Sequence, residues 1–207
     1  MEHTTQEYFV AARNLLKEGD VKSACYHYFK VHEADTNNAE AEFFSAYLGY
    51  SSLLKDGERY GAVNAFKAMT QCLEVAVKCI KDSDSEESEK IMTLSNMVEL
   101  YVPLTRHIFT RVSNTSRTIE EGVVGLYSLG SAIKNNFESS KEAMKLAAES
   151  WKEAVSLQSS FYAYNYKGIN LEDYVAEIKK VDTAYTAPAV PMMKKIIDKI
   201  KGLINKK

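Results

Sequence analysis

Apolar residues recur every three or four positions along most of this chain, and the runs are separated by short clusters of Gly, Asp, Asn and Ser. That period is the signature of amphipathic helices. Tyr8, Phe9, Ala11, Ala12, Leu15 and Leu16 predict a first helix over residues 4–17, capped by Thr4 or Thr5 and ended by Gly19. Asp20 then caps a second helix over 21–34, with Val21, Ala24, Cys25, Tyr28 and Val31 inward. Asn37 or Asn38 caps a third, running to about Leu54, with Glu40 and Glu42 in its first turn, where carboxylates suit the helix dipole. Residues 55–59 read as a turn. A long fourth helix over 60–81 places Val63, Phe66, Met69, Leu73, Val77 and Ile80 on one face.

The acidic run 82–89 reads as a connector passing into a fifth helix, 86–112, which contains Pro103. A proline inside a helix removes one backbone hydrogen bond, so a bend is expected near Val98–Val102. Residues 113–118 form a connector rich in capping side chains. Helices over 119–137 and 141–158 follow, the first carrying Gly122, Gly125 and Gly130 for close approach of a neighbour, the second turning Trp151 inward. The aromatic stretch 159–170 either extends that helix or forms an ordered loop. Helices over 171–185 and 192–205 complete the chain, the last with Met193, Ile196, Ile200 and Leu203 on one stripe and lysines opposite. The expectation is an all-α fold of about eight or nine antiparallel helices. It divides into helical hairpins over 1–81, a long-helix bundle over 82–187 and a basic C-terminal helix over 188–207.

Composition narrows the class. Of 207 residues, 45% are hydrophobic and 26% charged, and only 9 are Gly and 3 Pro, which suits long helices in a globular core. The net charge is -2, without the strongly basic footprint of nucleic-acid binding. The halves differ: residues 1–100 hold 10 Lys+Arg against 17 Asp+Glu, and residues 101–207 hold 16 against 11. Cys25, Cys72 and Cys79 lie in apolar helical patterns and form no CxxC, so they read as buried thiols in a reducing compartment. Cys72 and Cys79, seven apart on one helix, would sit about 10 Å from each other, too far to bridge. The N-terminus has no basic-then-apolar leader, and no window is long and apolar enough to span a membrane. A cytoplasmic protein is expected.

Residues 5–38 carry a more specific pattern. After LLKEGD comes Ala24, a small residue four positions beyond Asp20. Tyr28 follows four later as the large partner, then Val31, and the unit closes on Thr36 within DTNNAEA. This stretch resembles a tetratricopeptide repeat, with Val31 where the family usually has Ala and Thr36 where it usually has Pro. A second, degenerate unit covers 39–81. There Glu42 stands at the usual aromatic position, Ala46 at the glycine and Gly49 at the tyrosine, a frame shift of one brings in Tyr50, and Ala65 or Ala68 serves as the crossing residue. The resemblance implies stacked hairpins whose first helices line a groove for a peptide or partner helix. It places Gln6, Phe9, Arg13, Leu16 and Lys17 on that groove, joined by Glu40, Phe43, Tyr47 and Tyr50. The alternative is that the later helices fill the groove and the aromatics are core. Phe9 and Phe44 occupy positions that the family's carboxylate-clamp members give to Lys and Asn, so a chaperone-tail function is not expected.

Catalytic patterns are missing. His3, His27, His32 and His107 form no HExxH or ExxH, and no P-loop, GxGxxG or GxSxG occurs. Arg106, His107 and Arg111 suggest either a phosphate contact or a solvated helix face. The stretch FYAYNY reads as packing, since only Lys167 is near to serve a nucleic acid. The C-terminal helix has three readings: it caps the bundle, it mediates homo-oligomer formation through a heptad seam, or it lies on an anionic membrane. The expectation is a non-catalytic protein-interaction module or adaptor without a cofactor. Its partner-binding residues are expected to be Gln6, Phe9, Arg13, Lys17, Phe43, Tyr47 and Tyr50. The alternative is a nucleic-acid- or nucleotide-sequestering protein that uses the basic C-terminal half.

Overall fold

In the computed structural model, which describes residues 4–113, 115–160 and 171–188, every regular element is helical. The helices are α1 (Thr5–Lys17), α2 (Val21–Ala34), α3 (Ala39–Lys55), α4 (Arg59–Asp82), α5 (Glu87–His107), α6 (Ser116–Phe137), α7 (Lys141–Ser160) and α8 (Leu171–Val181). The FYAYNY stretch and the C-terminal helix expected over 192–205 lie outside the described residues, as does the self-association seam read from that helix.

Helix starts follow the expected capping chemistry. Thr4 and Glu7 form a capping box: the Glu7 backbone N–H donates to Thr4 Oγ1 at 3.2 Å, and the Thr4 backbone N–H donates to Glu7 Oε2 at 2.7 Å. Asp20 Oδ1 accepts from the Ser23 N–H at 3.1 Å, and Asn38 Oδ1 accepts from the Ala41 N–H at 3.0 Å. Gly19 and Gly57 take φ of 80° and 79° in the two tight turns of the hairpins, where a side chain would be strained.

Consecutive helices pack as hairpins from α1 through α4, and Ala24, Tyr28 and Val31 are all buried at their crossings. α4 then packs on α6 rather than principally on α5, α6 packs on α7, and α7 on α8. α5 lies across this stack and meets α1, α4, α6 and α7. Tyr101 of α5 is its key. The ring stacks on Phe66 of α4 at 5.6 Å between centroids and meets Phe43 of α3 at 6.4 Å. Its hydroxyl pairs with Thr70 Oγ1 at 2.7 Å.

The three glycines of α6 do what their positions suggest. A Cβ at Gly122 would lie 2.6 Å from Phe109 Cζ, and one at Gly130 would run into the Trp151 indole. A Cβ at Gly125 would collide with the Tyr101 hydroxyl.

The ends of α5 and α8 differ from expectation, and α6 begins at Ser116 rather than at residue 119. Residues 98–107 keep α-helical winding through Pro103, which is exposed, so the carbonyl it leaves without a donor faces the solvent side. A π-helical turn follows over Ile108–Val112, closed by the Ser113 N–H donating to the Ile108 carbonyl at 2.9 Å. Both Ile108 and Phe109 are buried there, and Phe109 takes the space that Gly122 leaves. α8 stops at Val181 rather than Tyr185, because Asp182 turns the chain and accepts from the Ala184 N–H at 3.1 Å.

Two glycine substitutions separate packing from propensity. Gly125→Ala is expected to lower stability by about 1–3 kcal/mol, because Tyr101 is enclosed and cannot retreat. Gly49→Ala, where nothing lies within 4 Å of the new methyl, is expected to raise stability by roughly 0.5–1 kcal/mol in mid-helix. Urea unfolding followed by circular dichroism measures both.

Candidate functional site

The side chains expected to line a groove are split by the structure among three places. The first is an open cleft of about 560 Å³ between α1 and the acidic connector before α5. Gln6, Phe9, Arg13 and Lys17 line its α1 wall, and Ser85 and Glu89 face them. The two cations are engaged by this chain itself. Arg13 forks onto Glu40, with Nε donating to Oε1 at 3.0 Å and Nη2 to Oε2 at 2.6 Å, and its Nη1 donates to Ser85 Oγ. Lys17 pairs with Glu89. The Arg13 guanidinium also sits 4.5 Å from the Phe9 ring centre.

Glu40 is the centre of this arrangement. It is only 1% exposed and accepts a third bond from the Tyr28 hydroxyl at 2.6 Å. Burial by itself lowers the Arg13 pKa, and the bond and charge of Glu40 more than offset that, leaving the guanidinium pKa raised. Burial and the same carboxylate hold the Tyr28 phenol well above its ordinary range. Arg13 was expected to anchor a partner's carboxylate. Here its fork is filled by an internal one, because a buried charge without a partner is costly. From sequence, Glu40 read as a dipole match in the first turn of α3 and, through the repeat resemblance, as a groove residue; nothing local marked it as a buried acceptor.

The second place is the core. Phe43 is completely buried between Phe44 and Tyr101, so it forms no open wall, and Leu16 is buried with it. At Phe43 the groove side of α3 is therefore covered by α5, while farther along α3 it stays open.

The third place is the surface around Tyr47. Tyr47, Ser51 and Lys55 follow one another at i, i+4 and i+8 along α3 and separate two open clefts. The cleft toward α5, about 420 Å³, includes Leu54, Leu100, Pro103 and His107. Tyr50 is buried at its edge and pairs through its hydroxyl with His107 Nδ1 at 3.0 Å. The cleft toward α2, about 450 Å³, includes Val21, Lys22, Cys25 and Leu48.

The phosphate contact suggested by Arg106, His107 and Arg111 is not assembled. Arg106 forks onto Glu153, and His107 is tied to Tyr50. Among the described residues no group of three or more His, Cys, Asp or Glu is placed to hold a metal ion, and no helix is long and apolar enough to cross a membrane. The three cysteines are free thiols, and burial raises the pKa of each. No family model matches this chain, and no curated protein and no solved structure does so either. The arrangement therefore stands on its own geometry: all-α packing around a self-filled face, with open clefts on either side of Tyr47.

Arg13→Ala is expected to cost about 3–5 kcal/mol, because Glu40 is left buried without its cation. The double change Arg13→Met, Glu40→Leu is expected to recover part of that loss, since it removes both charges together but leaves the buried Tyr28 hydroxyl without its acceptor. Urea midpoints for the single and double variants decide it; an Arg13→Ala protein as stable as the parent would show that the pair contributes nothing.

Proposed function

We propose that this chain is a non-catalytic protein-interaction module that binds a peptide or helix of another protein. The observation that carries the reading is the Tyr47–Ser51–Lys55 row, which presents a half-buried aromatic between two open, largely apolar clefts. Partly exposed aromatics flanked by concave apolar surface are where binding energy concentrates in protein interfaces. The tetratricopeptide-like spacing of residues 5–38 supports the same reading, since stacked hairpins of that kind commonly present a binding face.

The competing idea, a nucleic acid held by the basic C-terminal half, draws no support from the described residues. Arg106, Arg117, Lys134, Lys152 and Lys180 each have a carboxylate partner, which leaves less free positive charge than the sequence count suggests.

Affinity capture from the native host with the full chain, read by mass spectrometry, tests the proposal. Tyr47→Ala is expected to lose proteins that the parent retains, while Val124→Ser, at an exposed position on α6, keeps them. Identical capture by the parent and Tyr47→Ala would remove the Tyr47 surface from consideration.

A further inference from the structure

The cleft between α2 and α3 has a polarity that specifies the chemistry of its occupant. Its floor is apolar: Val21 and Cys25 from α2 meet Tyr47 and Leu48 from α3. Burial pushes the Cys25 thiol up to about 12, so it stays neutral and adds no charge to that floor. The charged side chains of the lining are Lys22 and Lys55, both exposed. Among the described residues neither is within ion-pair distance of a carboxylate. Asp20 stands beside Lys22, but its carboxylate caps α2 through the Ser23 N–H.

α2 begins where α3 ends, so both lysines stand at the same end of the cleft. Leu48, seven residues before Lys55, marks the other end. On a helix that spacing is about 10 Å. The lining is thus cationic at one end and apolar at the other, with the hydroxyls of Ser51 and Ser52 between.

We propose that this cleft takes an acidic peptide segment of a partner protein, with carboxylates at the Lys22–Lys55 end and an apolar side chain about 10 Å away against Cys25, Tyr47 and Leu48. This rests on the interaction-module reading and adds the partner's chemistry to it. A basic segment would be repelled by the lysines. A wholly polar one would leave the apolar floor without a contact.

The test is a random-peptide phage library selected on the full chain, in parallel with Lys22→Glu/Lys55→Glu. Both lysines are exposed, so the double variant is expected to melt at the parent's temperature, which circular dichroism verifies. Enriched peptides are expected to carry clustered Asp or Glu on one side of a Leu, Ile or Phe. Synthetic copies, measured by fluorescence anisotropy, are expected to bind the double variant about tenfold more weakly. Enrichment of basic or neutral peptides, no enrichment at all, or affinities unchanged by the charge reversal would overturn the proposal. So would a single-stranded oligonucleotide that outcompetes the peptides and is lost in the double variant. If Tyr47→Ala abolishes capture of cellular partners while Lys22→Glu/Lys55→Glu does not, the interaction module stands and the acidic occupant falls. If neither change alters capture, both fall.

Discussion

The position of α5 rests on the enclosure of one aromatic ring. Tyr101 stacks on Phe66 of α4, abuts Phe43 of α3, hydrogen-bonds Thr70 and occupies the space left by Gly125 of α6. A single side chain from α5 therefore touches three other helices. Dense interiors tolerate little change in volume, so these contacts fix one another's positions rather than merely adding up. With the ring in place, α5 cannot be peeled away without opening the centre of the protein, and the part of α3 around Phe43 becomes interior.

The same logic governs charge. Once α5 and its connector cover one side of α1 and α3, Glu40 is withdrawn from water and must be paired. Arg13 and Tyr28 converge on it, and Arg13 reaches on to Ser85, so the entry to α5 is tied back to α1. The groove cations become structural cations. What remains for other molecules is the rim of this assembly, where Tyr47 is half-buried and stands between two clefts.

Much of the helix order was legible because the local signals agree. Thr4, Asp20 and Asn38 cap where their side chains can reach a free N–H, Gly19 and Gly57 turn where φ is positive, and the apolar period matches the buried stripes. The end of α5 was the exception: past Pro103, which sits on its exposed side where a missing donor is cheap, the winding changes to a π-turn at Ile108–Val112, where Ile108 and Phe109 are both buried.

Candidate site residues were legible helix by helix but not as one site. Gln6, Phe9, Arg13 and Lys17 do line one cleft, since a helix face is fixed by spacing within about four residues. Phe43, three residues past Glu40 on α3, is core instead, because Tyr101, 58 positions later in the sequence, comes to lie on it. The chain's own pattern thus determined where helices begin, end and bury a stripe, all short-range matters of dihedral preference and period. Which face meets water, and which charges find an internal partner, depended on contacts such as Arg13 with Ser85 and Phe43 with Tyr101. Those are made between residues far apart in sequence, and no local pattern encodes them.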